Sequence, residues 1–237
     1  MVMLPERETR QRRPRGQQRL ETERRILSAA EPIFAERGFA GASMAAIAAA
    51  ASLPKANLHY YFRTKEALYS ALLDDILTVW LAATDRIVTG GNPVTAFSHY
   101  IRTKMALSQR RPDASKVFAN EILRGAPHLS SVLGGALREL VTRKSRIIEG
   151  WIALGLMDPV EAPHLFFAIW AMTQTYADFD VQIRAVLEVE QLGDREFAAG
   201  TAMIERLVLR GCGMLRHFPP APGTGVPGTG ANCPTEA

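Results

Sequence analysis

Apolar positions along this chain recur at intervals of three and four, the spacing that gathers them on one side of a helix. The every-second-residue alternation of a half-buried strand is missing. The pattern predicts an all-α protein. Thr22 opens a first helix that runs to about Arg37, with Ile26, Leu27, Ala30, Ile33 and Phe34 on one face. Gly38 ends it, because glycine accepts the left-handed conformation common at a helix C-terminus. Ser43 begins a short helix containing Ile47, Leu53-Pro54 interrupts, and a second short helix carries Leu58 and Phe62 on one face. Thr64 precedes a long helix with Leu68, Leu72, Leu73, Ile76 and Trp80, reaching to about Val88.

A second region follows. Asn92-Pro93 combines a side-chain cap with proline at a position where its missing N–H costs nothing, and Pro112 breaks the helix so begun. Pro127 marks the next boundary, before a long helix from roughly Leu129 to Leu154. Asp158-Pro159-Val160-Glu161 reads as a capping-box variant opening a helix toward Leu187. Gly193-Asp194 precedes a last helix ending near Gly211. From Pro219 onward Pro, Gly and Thr prevail, a composition that cannot bury enough apolar surface to fold. The layout is a basic flexible arm over residues 1–21, a small three-helix unit over 22–68, a larger helical body over 69–212 and a disordered tail over 213–237.

Composition narrows the function. Apolar and charged fractions of 47% and 22% are those of an ordinary globular protein. No apolar run approaches the roughly 18–20 residues that span a bilayer. The arginine-rich N-terminus lacks the apolar stretch of a secretory signal, so a cytoplasmic protein with no membrane partner is expected. Cys212 and Cys233 have no ligand-like spacing, and no metal or cofactor is expected. His59, His99, His128, His164 and His217 are scattered without an acid–base–nucleophile pattern, which argues against an enzyme. The net charge of +4 says little, but Arg7, Arg10, Arg12, Arg13, Arg15, Arg19, Arg24 and Arg25 crowd the first tenth of the chain. Such an arm suits a polyanion, or simply keeps the chain in solution; charge alone does not choose.

The segment from Ser43 to Phe62 carries the most chemistry. Two short helices joined by a tight turn form the helix-turn-helix pattern, whose second helix enters the major groove of DNA. Here that helix is Lys55-Ala56-Asn57-Leu58-His59-Tyr60-Tyr61-Phe62. Leu58 and Phe62 anchor it, leaving Lys55, Ala56, Asn57, His59 and Tyr60 outward. Lys55 suits phosphate or guanine, and Asn57 an adenine edge. Ala56 permits close approach, while His59 and Tyr60 suit phosphate oxygens. Ser43 and Met44 at the first short helix, and Lys65 after Thr64, complete the candidate DNA face. Periodicity alone leaves open an ordinary helical hairpin with a solvated face.

The runs Ile26-Leu27-Ser28-Ala29-Ala30, Gly38-Phe39, Ser43-Met44-Ala45-Ala46-Ile47-Ala48 and Leu58-His59-Tyr60-Tyr61-Phe62, with Lys65-Glu66-Ala67-Leu68, resemble the DNA-binding signature of TetR-family regulators. The chain departs from that signature at Ala51, where the family usually has the turn glycine. It departs again at Pro54, where a Ser or Thr usually precedes the recognition helix. The resemblance implies a double-stranded palindromic operator as partner, a homodimer, and a small-molecule effector bound by the larger helical domain.

In that domain Trp170, Gln174 and Asp178 lie four apart on one helix face, with Thr173 beside them. An indole slab beside an amide suits a planar, hydrogen-bonding ligand, and Trp80 is placed to close the other side. A tryptophan in the core or at a dimer interface fits the same spacing. The runs Asp75 to Ala82, Phe118 to Pro127 and Ile169 to Phe179 resemble the RutR/YcdC-like branch of the family. That resemblance implies a pyrimidine effector such as uracil, with Trp80, Trp170, Thr173 and Gln174 as ligand candidates. A different hydrophobic or aromatic effector remains the alternative.

Overall fold

The computed structural model describes residues 15–129 and 133–217. Among them the regular elements are all helical. They are α1 (Arg15–Gly41), α2 (Met44–Ala50), α3 (Lys55–Tyr61), α4 (Lys65–Ala82), α5 (Pro93–Arg110) and α6 (Pro112–Leu123). A π-helical turn, Leu133–Leu137, leads into α7 (Arg138–Ala153). Then come α8 (Ala162–Asp178), α9 (Asp180–Leu187), α10 (Asp194–Gly211) and a short α11 (Met214–His217).

Local caps set most of the starts. The side-chain oxygens of Ser43, Thr64 and Asn92 accept hydrogen bonds from the amides of Ala46, Ala67 and Thr95 at 3.2, 3.1 and 3.2 Å. Each satisfies one donor that the first helical turn would leave orphaned. Glu196 reaches back to the Gly193 amide at 2.9 Å and fixes the start of α10.

Six expectations change, the first being the helix from Leu129: Leu129 lies in a turn, and regular α-helix begins only at Arg138, after the π-helical turn. Thr22 is no cap: its hydroxyl donates to the Gln18 carbonyl inside a helix that already begins at Arg15. The N-terminal arm is therefore helical over residues 15–21, and residues 1–14 lie outside the described residues. Gly38 does break α1, with φ +65°, but one further turn follows it to Gly41. α4 stops at Ala82 rather than near Val88, where the Thr84 hydroxyl donates to the Leu81 carbonyl. Asp158 does not cap α8, because Arg216 holds its carboxylate at 3.2 Å and its amide donates to Cys212; α8 starts at Ala162 and yields to α9 at Phe179. At the tail, Met214 is fully buried in the second core, so the ordered body runs past residue 213, and Pro219 onward lies outside the described residues.

Two cores form. The first gathers Ile26, Ala30 and Phe34 of α1, Ile47 of α2, Leu58 of α3 and Leu68, Leu72, Leu73 and Ile76 of α4. Ala114 and Val117 of α6, with Ala126 and Leu129 beyond it, complete that same core. The second packs α5, α7, α8 and α10 around Phe97, Tyr100, Trp151 and Phe166. α6 thus closes the small N-terminal unit while belonging in sequence to the larger body.

Candidate effector cavity and DNA-binding face

The N-terminal unit presents α3 as expected. Lys55, Ala56, Asn57 and Tyr60 are exposed, Tyr60 at 72%, while Leu58 is fully buried beneath them. Tyr60 meets Tyr61 edge-on at 5.3 Å, which limits where its phenol can swing. The His59 ring donates from Nδ1 to the Arg63 carbonyl at 3.2 Å, which fixes its orientation and leaves Nε2 turned away from that contact. Ser43 is exposed and Met44 half-buried against the core. Ser43 uses its oxygen as a cap, so its O–H stays available.

Lys65 is placed differently. Its ammonium donates to the carbonyls of Ala40 and Ala42 at 3.3 and 3.1 Å and lies 4.6 Å over the Phe39 ring. It closes the end of α1 before it can serve a phosphate. The unusual turn resolves simply. Ala51 is buried with φ −75°, an ordinary conformation, and the left-handed position falls on Ser52, φ +53°. Pro54 supplies the backbone start of α3, its carbonyl accepting from Asn57 and Leu58, and no side chain caps it.

The larger body holds a cavity of about 730 Å³ between α4, α6, the π-helical turn, α7 and α8. Trp80, Trp170 and Gln174 all line it, bringing together residues far apart in sequence. Thr173 does not: it is fully buried, its hydroxyl donates to Ile169 at 2.7 Å, and Ser108 bonds its carbonyl. One residue off the Trp170–Gln174 stripe turns it into the core.

Several partners were not evident beforehand. Tyr100 of α5 accepts a 2.6 Å hydrogen bond from the Trp170 indole and fixes that ring's orientation. Trp80 is held edge-on to Phe118 at 4.8 Å, with the Lys104 ammonium 3.9 Å above its centroid. Lys104 is only 3% exposed, and burial pushes it down to about 7 against the opposing pull of Asp178. Asp178, on the cavity wall, is itself pushed above the usual carboxylate range by burial, although Ser115, Lys104 and Lys116 oppose this. Asn120 and Lys116 of α6 add polar groups to the wall. A sequence signal existed: Lys116, Asn120 and Leu123 share a helix face.

Arg111, at the α5–α6 junction, ties that junction to α1 and α4. Its guanidinium meets Glu31 of α1 at 2.5 Å and Asp75 of α4 at 2.9 Å. At the other end of α6, buried Glu121 accepts from the His128 amide at 2.6 Å, and the His128 ring packs tilted against Phe39 and edge-on to Tyr69.

Among the described residues no helix is long and apolar enough to cross a membrane, and no group of three His, Cys, Asp or Glu could hold a metal. Residues 26–72 match the family described as bacterial regulatory proteins, tetR family, and residues 73–215 match the YcdC-like protein, C-terminal region. The chain is 41% identical over 186 residues to the HTH-type transcriptional regulator RutR of Escherichia coli K12, covering 78% of this chain and 88% of that one. It is 26% identical over 208 residues to the HTH-type transcriptional repressor NicS of Pseudomonas putida, covering 86% and 98%. The fold also matches AibR, solved in complex with isovaleryl coenzyme A and operator DNA, with TM-score 0.60, 20% identity and coverage of 78% and 97%. With both halves matched in order and the RutR likeness running through most of the chain, this is a DNA-binding transcriptional regulator of the TetR family, in its YcdC-like branch.

Proposed function

We propose that the protein represses transcription as a homodimer on a palindromic operator in the bacterial cytoplasm, and lets go when a small ring-bearing molecule, a pyrimidine such as uracil, enters the cavity between Trp80 and Trp170. The observation that carries this reading is the double duty of α6. Phe118, Ala119, Asn120 and Leu123 face the cavity, while Ala114 and Val117 pack into the core of the DNA-binding unit. A ligand that moves α6 or Trp80 therefore moves α1 and α4, because Arg111 ties all three together.

On the DNA side, Lys55 and Asn57 read base edges, Ala56 allows close approach, and Ser43 and Tyr60 donate to phosphates. Met44 and His59 lie beside them, and Lys65 braces the α1 end. The two-fold contact runs through α8 and α10, whose Phe167, Met203 and Leu207 are about half exposed in one chain. Symmetric dimers of this kind match palindromic sites. The ring stacks against the indoles while Gln174 supplies a donor and an acceptor. The pyrimidine assignment rests on the likeness to the branch.

Only a difference in affinity between the two states can drive release. Shifting the DNA-competent fraction from ~99% to ~1% takes roughly 5.5 kcal/mol. The test is fluorescence anisotropy of the full protein on DNA from upstream of its own gene, with a random duplex as control, and with uracil or thymine added. Selective binding that either pyrimidine weakens is expected. Equal affinity for both duplexes refutes operator recognition. Selective binding indifferent to pyrimidines refutes that effector alone.

A further inference from the structure

We infer that the effector is a neutral molecule larger than one pyrimidine ring, carrying an N–H donor for Asp178 and an apolar extension that lies along Leu133, Leu137 and Leu140. The inference rests on the reading of this cavity as the effector site and makes uracil itself only a partial occupant of it, and two separate observations lead to it.

The first is size. A pyrimidine such as uracil has about eight non-hydrogen atoms, and even at the ~30 Å³ of a liquid water each they fill roughly 240 Å³. The cavity offers about 730 Å³. The polar groups Gln174, Asn120, Lys116 and Asp178 cover only part of its wall. Aromatic rings and an aliphatic stretch make up most of the rest, the latter from Leu77, Leu81, Ile122 and the three leucines of the π-helical turn and α7. A cavity of this volume and lining matches a ligand with an apolar body and a few polar groups at one end.

The second is an orphaned oxygen. Asp178 Oδ1 is buried without a hydrogen bond of normal geometry, as is the hydroxyl of Ser115, the side chain that favours its charged form. A buried acceptor left unmade is costly, and a ligand N–H would satisfy it. The neighbouring cations do not do so: Lys116 reaches Asp180 at 3.4 Å, and Lys104 sits over the Trp80 ring. A carboxylate or phosphate head would bring like charge against Asp178, while the Lys116 ammonium on the same wall is already paired with Asp180. The wall therefore selects a neutral donor over an anion.

The test is calorimetric titration of the full protein with uracil, 6-propyluracil, 6-hexyluracil and 1,3-dimethyl-6-propyluracil, alongside decanamide and decanoate. Each buried methylene should tighten binding about fourfold until the apolar end is filled. Methylating both ring nitrogens should weaken binding at least tenfold, and decanamide should bind where decanoate does not. In Leu140→Asn the ratio of hexyluracil to uracil affinity should shrink. Weakening by the alkyl chain, unchanged affinity of the dimethyl compound, or equal binding of decanoate and decanamide would each overturn the inference, as would no binding by any compound. If uracils fail while decanamide binds and decanoate does not, the inference stands and the pyrimidine reading falls.

Discussion

Replacing Lys104 with methionine, a side chain of similar length without charge, is expected to stabilise the protein at pH 6 and to matter little near pH 10. Lys104 lies in the buried stripe of α5 with Tyr100, Ile101 and Met105. Burial lowers its ammonium to about 7 from an ordinary 10.5. The difference, 10.5 − 7 = about 3.5, corresponds at 1.36 kcal/mol per pH unit to roughly 5 kcal/mol of penalty on the charged form. Between pH 7 and 10.5 the unfolded chain holds a proton that the folded chain has released. Stability therefore climbs with pH through that window, and below pH 7 the full penalty is present. Methionine also gives up the attraction between the ammonium and the Trp80 ring, about 1–2 kcal/mol for a desolvated pair. The expected net gain is then on the order of 3 kcal/mol at pH 6, shrinking to below ~1 kcal/mol at pH 10. Urea unfolding of both proteins at pH 6, 8 and 9.5, at one protein concentration, reads this directly. A methionine variant no more stable at pH 6, or a gain that ignores pH, would refute the reasoning.

Three further perturbations follow from the geometry. Arg111→Met strands the nearly buried Glu31 and should cost about 2–3 kcal/mol in urea unfolding, with Glu31→Gln added on top recovering part of it. The same variant should also blunt the effect of the ligand on operator affinity by anisotropy. Gly200→Ala would drive a Cβ into the Tyr176 ring where α10 crosses α8, so a loss of about 1–3 kcal/mol is expected in thermal melts, relieved by Tyr176→Ala. Asn57→Ala should cost about 1–3 kcal/mol of discrimination at one operator position while hardly changing affinity for random duplex, as competition binding would show.

What the sequence made legible was mainly local. Ser43, Thr64 and Asn92 each bond an amide three residues onward, so the chain carries both ends of those contacts within one turn. Leu58 and the exposed edge of α3 followed from helical period alone. The misses came where a distant group wins. Asp158 had the spacing of a cap, but Arg216 and the Cys212 carbonyl, more than fifty residues away, hold it instead. Arg15 to Glu21 carries no apolar rhythm to mark the earlier start of α1. For the cavity, the face of α8 bearing Trp170 and Gln174 was readable, because one helix carries both. That Tyr100, Lys116 and Asn120 would meet them depends on how α5 and α6 turn against α8, which no short window of sequence encodes. Thr173 shows the limit of such reading: its neighbour on the stripe faces the cavity, and it faces the core.

The split of the first core between α1–α4 and α6 bears on how such regulators can be taken apart. A fragment ending at Ala82 would be a reading head without its lid, since Ala114, Val117, Ala126 and Leu129 cover its inner side. Grafting that head onto another sensor would thus require the inner side of the donor's α6 to travel with it, and a cooperatively melting, monomeric 15–82 fragment would contradict this. Point changes on either side of α6 should then be heard on both, so new ligand preferences are more easily gained through α7 and α8, which contribute no residue to the first core.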